Sequence, residues 1–298
     1  MDKKEKIVVV VASDNQYAVL TAALIKSIEI NHKTDELLSF TIINDGISKA
    51  NQEKLQKSIN TSKTQLNFVE PQNIIPPNVK LPVDQSTYPI TAYLRLFAPF
   101  AVAQDCKKLI YMDVDMLMYD DISNLYNIDI GENIIGAVQD YQFIVSSPYA
   151  IKNYKELGIP AEAKYFNSGL LVINPQKWIE EDIANKVIKC MVDNRGYYDY
   201  PDQYGFNVVL YKKWHEIDLL WNCSDYFEKP SNPSLVHFLN IKPIFKSCPS
   251  LQRNKDEFYR VLGMTEFKDF KPKSDYHRLF KKGFTKAKKI AQSFISLN

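Results

Sequence analysis

Cysteine is scarce in this chain of 298 residues, which contains four cysteines and no CxxC pair. Neither a disulfide framework nor a zinc site built on paired cysteines is therefore expected. We expect Cys106, Cys190, Cys223 and Cys248 to be reduced thiols in the core or near the surface.

Long apolar runs are also missing. The N-terminal stretch MDKKEKIVVVVAS has a basic start, but its apolar run is too short for the hydrophobic region of a signal peptide. No other segment approaches the length of about 20 apolar residues that crosses a bilayer. We therefore expect the protein to stay in the cytoplasm.

A large charge of one sign is missing as well, because 37 lysines and arginines face 35 aspartates and glutamates, for a net charge of +2. This balance indicates no polyanionic partner such as a nucleic acid. The hydrophobic share of 45% is typical of soluble globular proteins, so the chain can bury a sizeable core.

The N-terminal part of the chain alternates between two hydrophobic patterns. Runs rich in β-branched and aromatic residues predict strands at Ile7–Ala12, Ser39–Asn44 and Gln65–Val69. Helical spacing of apolar residues favours helices at Tyr17–Asn31 and Lys49–Ile59. Strand, helix, strand, helix, strand is typical of a doubly wound α/β half-domain that binds nucleotides.

A connection with five prolines, from Pro71 to Pro89, follows the third predicted strand. Beyond it, the regular α/β pattern continues to about Phe270, where the composition becomes basic. The elements predicted in this region are a helix at Thr91–Phe97, strands at Lys108–Met112, Asn133–Val138 and in Tyr165–Trp178, a helix at Trp178–Val192 and a helix that begins in Asp202–Trp214.

The stretch KKLIYMDVDMLMYDD places Asp113 and Asp115 directly after a predicted strand. Side chains two residues apart in an extended chain point to the same face, so these negative charges repel each other unless a cation compensates them. Ligands bind at this carboxyl edge of open α/β sheets, and a divalent metal ion is the expected partner. Asp120 and Asp121 are expected to be turn or capping residues.

The carboxylate pair has two alternative interpretations. One is a solvated strand end, since aspartate is common in turns. The other is an aspartyl phosphatase, whose Asp-x-Asp motif usually lies on the first strand and is followed by Thr or Val. Here the motif lies on the fourth or fifth strand and is followed by Met116 and Leu117, which disfavours the phosphatase.

The segments YMDVDMLMYDDI and YFNSGLLVINPQKW together resemble the family 8 glycosyltransferases. These are retaining, metal-dependent enzymes, and they include bacterial lipopolysaccharide galactosyltransferases and glucosyltransferases and glycogenin. The resemblance covers four blocks in the family's order, from Lys6 to about Phe245. It implies an α/β GT-A fold, a Rossmann-like mixed sheet flanked by helices, as one catalytic domain over residues 1–270.

The resemblance also implies a metal centre that holds Mn²⁺ or Mg²⁺ against the diphosphate of a UDP-sugar. Asp113 and Asp115 would be ligands, with Asp113 also near the ribose and Val114 against the donor. His237 would be the third protein ligand, although on its own it would be interpreted as a core histidine. In the same block, LVHFLNIKPIF, Lys242 would pair with the phosphates.

This last block departs from the family pattern His-Phe-x-Gly-x-x-Lys-Pro-Trp. Asn240 stands in place of the glycine, and the spacing from His237 to Lys242 is one residue shorter. Ile244 or Phe245 replaces the tryptophan. Asn tolerates left-handed backbone conformations, so the turn close to the phosphates can form with Asn240.

The nucleotide end of the donor site is implied by VVVVASDNQYAV and TAYLRLFAP. Asp14 would accept a hydrogen bond from the uracil N3–H, and Tyr17 would stack on the base. Ala12 and Ser13 would supply backbone contacts, and Arg95 would reach the diphosphate or the sugar. The alternatives are a helix cap for the loop of Asp14 and a solvated helical position for Arg95.

The sugar end is implied by YFNSGLLVIN and YPDQYGFN. The side chain of Asn167, the backbone of Ser168 and the adjacent Gly169 would contact the transferred hexose. Asp140 would hydrogen-bond its hydroxyls. These assignments are transferred from the family, one residue at a time.

Asp202 and Gln203 would lie near the anomeric carbon, and Tyr204 stands where the family usually has a second aspartate. One of the two could act as a nucleophile in a double displacement. We favour a front-face route, in which the acceptor hydroxyl attacks on the side that the leaving group departs from. A Gln amide is a poor nucleophile, and Asp202 would mainly orient the sugar.

The C-terminal tail, residues 271–298, is basic. From Lys273 onward it carries seven lysines and arginines and one aspartate. Phe280, Phe284 and Phe294 recur at helical spacing, which predicts an amphipathic helix at the inner face of the cell membrane. A basic helix packed on its own domain is the alternative, and no nucleic-acid recognition module accompanies the tail.

The resemblance therefore implies a metal-dependent glycosyltransferase that moves galactose or glucose from a UDP-sugar to a glycan or glycolipid, with an α linkage. Two other functions remain open: a non-catalytic binding protein for sugar nucleotides or glycans, and a self-glycosylating primer protein.

Overall fold

A computed structural model of the chain describes residues 5–77, 79–81, 89–226, 228 and 230–276. Ten strands and seven α-helices are described within these ranges. The strands are β1 (Lys6–Asp14), β2 (Leu37–Asp45), β3 (Thr64–Val69), β4 (Leu109–Met112), β5 (Met116–Met118), β6 (Ile135–Ile144), β7 (Lys164–Ile173), β8 (Trp214–Ile217), β9 (Cys223–Ser224) and β10 (Leu235–His237). The helices are α1 (Ala18–Asn31), α2 (Lys49–Ser58), α3 (Ile122–Tyr126), α4 (Pro175–Glu180), α5 (Ile183–Asp193), α6 (Pro201–Val209) and α7 (Gln252–Leu262).

Seven strands form a central mixed sheet in the order β3-β2-β1-β4-β7-β6-β8. Strands β1 to β4 are parallel to one another, whereas β7 runs antiparallel to both β4 and β6. Val9, Val10 and Val11 of β1 are all buried, which explains why this strand is an unbroken apolar run without alternation. Two hydrophobic clusters cover the two faces of the sheet. The sequence-based prediction of an α/β fold with a mixed sheet is confirmed.

The strands and helices predicted for the N-terminal half-domain are confirmed to within two residues. Further along the chain, one helix prediction is confirmed and one is wrong. The segment Thr91–Phe97 is helical, but the helix is of the 3₁₀ type, Ile90–Ala101, and Pro99 in it has no N–H to donate. The segment Trp178–Val192 is split into α4 and α5 because Asp182 adopts a left-handed conformation with φ 52°.

A second, small sheet has the order β5-β10-β9 and connects distant parts of the chain. Strand β10 pairs antiparallel with β5, so that His237 lies opposite Met116. Strand β9 pairs parallel with β10, and His237 lies opposite Ser224. This register brings the C-terminal part of the domain against the segment that follows β4.

The predicted basic tail lies outside the described residues from position 277 onward. The first residues of the predicted tail are described: Lys273 forms a bridge with Phe245, and Ser247 donates a hydrogen bond to Asp275 at 2.5 Å. The chain therefore packs on the rest of the fold up to at least residue 275. Within the described ranges, no helix is both long enough and apolar enough to cross a bilayer. All four cysteines are free thiols.

We expect Asp121→Ala to lower the free energy of unfolding by about 3 kcal/mol, because Asp121 links α1 to α3. Its carboxylate accepts from His32 Nδ1 at 3.1 Å, from Lys33 N at 2.8 Å and from Ser123 N at 2.9 Å. Urea unfolding at pH 7 measures the change, and the exposed Asp105→Ala should shift the free energy by less than about 0.5 kcal/mol. A similar loss in both variants would contradict this role.

The same carboxylate makes this part of the stability depend on pH. Burial acts to raise the pKa of Asp121, but hydrogen bonds from the amides of Ser123 and Lys33 and from His32 outweigh it, and the pKa is lowered. A lowered pKa stabilises the fold above the unfolded-state value of about 3.9, and the stabilisation is lost as the pH falls through the folded-state pKa. The difference in the free energy of unfolding between wild type and Asp121→Ala should therefore disappear when the pH falls below the folded-state pKa of Asp121.

Candidate active site

The site forms at the edge of the sheet where β1 and β4 end and the antiparallel β7 begins. Strand β4 ends at Met112, and the next residue, Asp113, donates its backbone N–H to the carbonyl of Gly169 in β7 at 2.8 Å. Strand β1 ends beside them at Asp14. The Asp-x-Asp segment therefore lies at the middle of the sheet edge, where ligands bind in open α/β folds.

Three side chains converge here, although they are far apart in sequence. One ligand atom each from Asp113, Asp115 and His237 lies within 4.8 Å of the other two. The pairing of β5 with β10 sets this geometry, and Phe238 N donates to the carbonyl of Asp115 at 2.9 Å. The backbone of Gly169 packs against the group, where a Cβ would lie 2.7 Å from His237 Cε1 and 2.9 Å from Asp113 Oδ2.

Arg95 joins the cluster to the interior of the protein. Its Nη2 lies 2.9 Å from Asp113 Oδ1, and its Nε lies 3.1 Å from Asp202 Oδ2. Its Nη1 donates to the carbonyl and to the hydroxyl of Ser168. Burial raises the pKa of Asp113, the Arg95 charge opposes this, and the Asp115 charge adds to it. Arg95 is thus a buried, paired cation and not a solvated helical arginine.

Asp115 is held by two cationic or potentially cationic groups. Lys242 Nζ lies 2.5 Å from Asp115 Oδ2, and His237 Nε2 lies 3.3 Å from Asp115 Oδ1. Burial acts to raise the pKa of Asp115, but Lys242 and then His237 outweigh it and hold the pKa well below its usual value. Lys242 also donates to the carbonyl of Phe238. The shortened block therefore still delivers Lys242 to the carboxylate pair.

The donor set fits a hard divalent cation. It offers two carboxylates and one imidazole, which suit Mn²⁺ or Mg²⁺. Among the described residues, the buried Asp115 Oδ1 has no hydrogen bond of acceptable geometry. A bound cation would satisfy this oxygen and relieve the repulsion between the two carboxylates.

The predicted sugar end is a network of amides around Asp140. Asp140 Oδ2 accepts from Asn167 Nδ2 at 3.2 Å and from Gln203 Nε2 at 3.0 Å. Gln203 Oε1 accepts from the backbone N–H of Ser168 at 3.2 Å. Burial raises the pKa of Asp140, and the two amide hydrogen bonds oppose this. These hydrogen bonds fix the orientation of the side-chain amides of Asn167 and Gln203.

The position of the Asp14 loop is compatible with both of its predicted roles, a helix cap and a contact with the nucleotide. Asp14 Oδ1 accepts from Gln16 N at 2.9 Å and from Tyr17 N at 3.0 Å, so it caps the loop before α1. Asp14 and Tyr17 also line the opening. Ser13 is completely buried, and its hydroxyl lies 2.8 Å from that of Thr21 in α1.

A cleft of about 840 Å³ unites the nucleotide end, the carboxylate pair and the sugar end. Asp202 lies behind its wall, fully buried and paired with Arg95. The residues predicted from the sequence that line the cleft are Ala12, Asp14, Tyr17, Arg95, Asp113, Val114, Asp115, Asp140, Asn167, Ser168, Gly169, Gln203, His237, Asn240 and Lys242.

Two further residues belong to the site but are not part of the predicted motifs. Tyr111 donates from its hydroxyl to Asp113 Oδ1 at 3.1 Å. Asn222 Oδ1 lies 2.9 Å from His237 Nδ1. Both lie in largely apolar stretches, LIYM and LLWN, where a single polar atom gives no pattern to detect.

A model of the family described as glycosyl transferase family 8 matches residues 8–243. The chain belongs to glycosyltransferase family 8. It is 25% identical over 287 residues to General stress protein A of Bacillus subtilis. That alignment covers 90% of this chain and 96% of the relative. It is also 30% identical over 233 residues to a putative glycosyltransferase of Haemophilus influenzae. This second alignment covers 78% of this chain and 66% of the relative.

Two further similarities of this family 8 protein differ in how much of each chain they cover. The lipopolysaccharide 1,2-glucosyltransferase of Escherichia coli is 29% identical over 119 residues, which is 40% of this chain and 34% of that enzyme. Among solved structures, the galactosyltransferase LgtC in complex with donor and acceptor sugar analogues aligns with a TM-score of 0.71 and 24% identity. That alignment covers 87% of this chain and 96% of LgtC and shows the shared GT-A fold. Glycosyl transfer is therefore the activity class of this protein.

Proposed function

We propose that this family 8 protein is a retaining hexosyltransferase. It would move galactose or glucose from a UDP-sugar to a glycan or glycolipid acceptor and form an α linkage. The single observation that supports this most strongly is the convergence of Asp113, Asp115 and His237 at the edge of the sheet. A cation held there faces a cleft large enough for a sugar nucleotide.

In this proposal Asp113, Asp115 and His237 hold Mn²⁺ or Mg²⁺. When bound, such a cation neutralises the charge that develops on the departing diphosphate. Lys242, already beside Asp115, supplies a second positive charge within reach of the phosphates. Asp14 and Tyr17 bind the uracil, with Ala12 and Ser13 behind it. Val114 and Asn240 line the donor cleft between these groups.

The amide network supports the front-face route. Gln203 Oε1 is engaged by the Ser168 amide, and Asp202 is buried against Arg95, so neither is poised to attack an anomeric carbon. The bond from that carbon to the β-phosphate oxygen would break while the acceptor hydroxyl oxygen bonds on the same face. The hydroxyl proton would go to the β-phosphate oxygen. Asp140 and Asn167 would hold the sugar hydroxyls.

The proposed acceptor side includes a membrane surface. The basic and aromatic residues of the tail, from Lys273 to Asn298, would hold the enzyme on the inner face of the cell membrane. This part of the proposal rests on the sequence pattern. Binding to vesicles with anionic lipids, lost on neutralising Lys281, Lys282, Lys286, Lys288 and Lys289, would support it.

A panel of UDP-sugars, each with Mn²⁺ or with EDTA, tests the proposed function. We expect one UDP-hexose to raise the melting temperature only with the cation, because a ligand that binds the native state stabilises it. The same UDP-hexose should be hydrolysed slowly to UDP when no acceptor is present. Mass spectrometry of the protein after incubation tests the primer function, which predicts added hexose units.

Binding without any release of UDP, with water or with a panel of glycan acceptors, would favour a non-catalytic binding protein. The shortened block between His237 and Lys242 is the observation behind that second candidate. The ion pair of Lys242 with Asp115 counts against it, because the cationic group reaches the site despite the shorter spacing.

A further inference from the structure

Asn222 lies between the metal-ligand cluster and the sugar end of the cleft. It is the last residue of the 3₁₀-helix Leu219–Asn222, and it is 8% exposed. Its Oδ1 lies 2.9 Å from His237 Nδ1, and its Nδ2 donates to Asn167 Oδ1 at 3.0 Å. One amide thus contacts a predicted metal ligand and a predicted sugar contact at the same time.

The backbone fixes which way this amide points. Asn167 Oδ1 accepts from the backbone N–H of Gly169 at 2.9 Å, and Asn167 Nδ2 donates to the carboxylate of Asp140. A backbone N–H can only donate and a carboxylate oxygen is an acceptor, so the orientation of Asn167 is determined. Asn222 must then present its NH₂ to Asn167 and its oxygen to His237.

The ring nitrogen of His237 that faces this oxygen must therefore carry a hydrogen. In the neutral imidazole, the other nitrogen, Nε2, then has a lone pair, and it lies 3.3 Å from Asp115 Oδ1. Two acceptor atoms this close repel each other, and a cation that both atoms could coordinate would remove the repulsion. His237 is thus presented in the tautomer that a metal ion requires.

We propose that Asn222 is a positioning residue that holds the His237 ring in its metal-binding orientation and couples it to Asn167. This inference rests on the proposed function, because it assigns the partner of a ligand in the same centre. Asn222 acts through two other side chains. Its loss should therefore change the affinity for the cation and the alignment of the sugar without removing a ligand.

A purely structural role would not predict this effect. The neighbouring backbone is already held by the pairing of β9 with β10, in which Cys223 lies opposite Val236 and Ser224 opposite His237. The side chain of Asn222 is not needed for that pairing. Its two hydrogen bonds both go to side chains of the cleft.

Binding of Mn²⁺ to the full-length protein in the presence of UDP tests the proposal without any need for turnover. We expect Asn222→Ala to bind Mn²⁺ about 10- to 100-fold more weakly, the usual effect of removing a partner of a ligating histidine. Pulsed electron paramagnetic resonance of the bound Mn²⁺ should show weaker coupling to the imidazole nitrogen. The control is Asn254→Ala, another buried asparagine, which contacts Asp225 and Tyr119 and should leave both readouts unchanged.

Asn222→Asp separates the two contacts. A carboxylate accepts from His237 Nδ1 as the amide oxygen does, but it cannot donate to Asn167. We expect this variant to bind Mn²⁺ at least as tightly as wild type, while hydrolysis of the UDP-sugar falls about 10-fold because Asn167 is no longer aligned.

The outcomes are distinguishable from failure of the proposed function. If Asn222→Ala bound Mn²⁺ within twofold of wild type and showed unchanged nitrogen coupling, that result would overturn the positioning role but would leave the proposed metal centre unaffected. An equal loss in Asn254→Ala would also overturn it, since the effect would then be general. Absence of Mn²⁺ binding by the wild-type protein would overturn the metal centre and this inference together.

Discussion

Asp113→Asn and Asp115→Asn will each lower the rate of UDP release from the donor by about 10³-fold. Each change keeps the shape of the side chain but removes the charge of a proposed ligand from the group of three. A divalent cation at a departing diphosphate contributes several kcal/mol, and each 1.4 kcal/mol is about a factor of ten in rate. Initial rates of UDP formation, measured with saturating Mn²⁺, give the factor directly.

The matched control for this prediction is Asp120→Asn, five residues further along the same segment. Asp120 Oδ1 accepts from Asp121 N at 2.7 Å, and Asp120 behaves as the turn residue that the sequence predicts. Its rate should stay within about twofold of wild type, as for a substitution outside the site. Equal losses in all three variants, or full rates in the Asp113 and Asp115 variants, would refute the metal centre.

Gly169→Ala will lower the same rate by about 10²-fold while the protein stays folded. The added methyl group would lie 2.7 Å from His237 Cε1 and 2.9 Å from Asp113 Oδ2, closer than any unstrained contact. The two ligands must therefore move apart, and a displacement near 1 Å in a reacting centre costs about this factor. Rates at several Mn²⁺ concentrations should show weaker cation binding as well as slower turnover.

Gly263→Ala offers a comparison in which the added methyl group is crowded much less than at Gly169. The nearest atoms to a Cβ there are backbone oxygens of Arg260 and Tyr259 at 3.3 Å, and its φ is −60°. This variant should match wild type in rate and in cation affinity. If Gly169→Ala also matched wild type, the close packing of β7 against the ligands would have no role in catalysis.

The parallel half of the fold could be predicted because its signal is local. The strand Ile7–Ala12 and the helix Tyr17–Asn31 are each defined by their own residues, and β1 and α1 have nearly the same bounds. The wrong prediction of one helix over Trp178–Val192 has a cause outside local spacing. The left-handed Asp182 interrupts an apolar periodicity that continues on both sides of it.

The candidate site could be predicted in part, for a related reason. Asp113 and Asp115 are neighbours in an extended chain, so their spacing alone indicates one face. His237 reaches them only through the register of β10 on β5, which no feature of LVHFLNIKPIF encodes. The family resemblance supplied that residue, and the described contacts explain why it is there.

Buried polar partners were the hardest to anticipate. Asp202 was predicted beside the anomeric carbon, but its carboxylate pairs with Arg95 inside the protein. Asn222 has no motif of its own, and only the positions of His237 and Asn167 give it a role. Hydrogen-bond partners of this kind depend on packing between elements, which a single sequence does not display.

The pairing of β5 with β10 has a consequence for folding. The segments that carry Asp115 and His237 are separated by about 120 residues of chain, most of which fold into the far half of the central sheet. If a cation joins them as proposed, it would act as a reversible cross-link that closes this long loop, and cross-links that close long loops restrict the unfolded chain most. Chelation should therefore loosen the whole second half of the domain, well beyond the cleft itself.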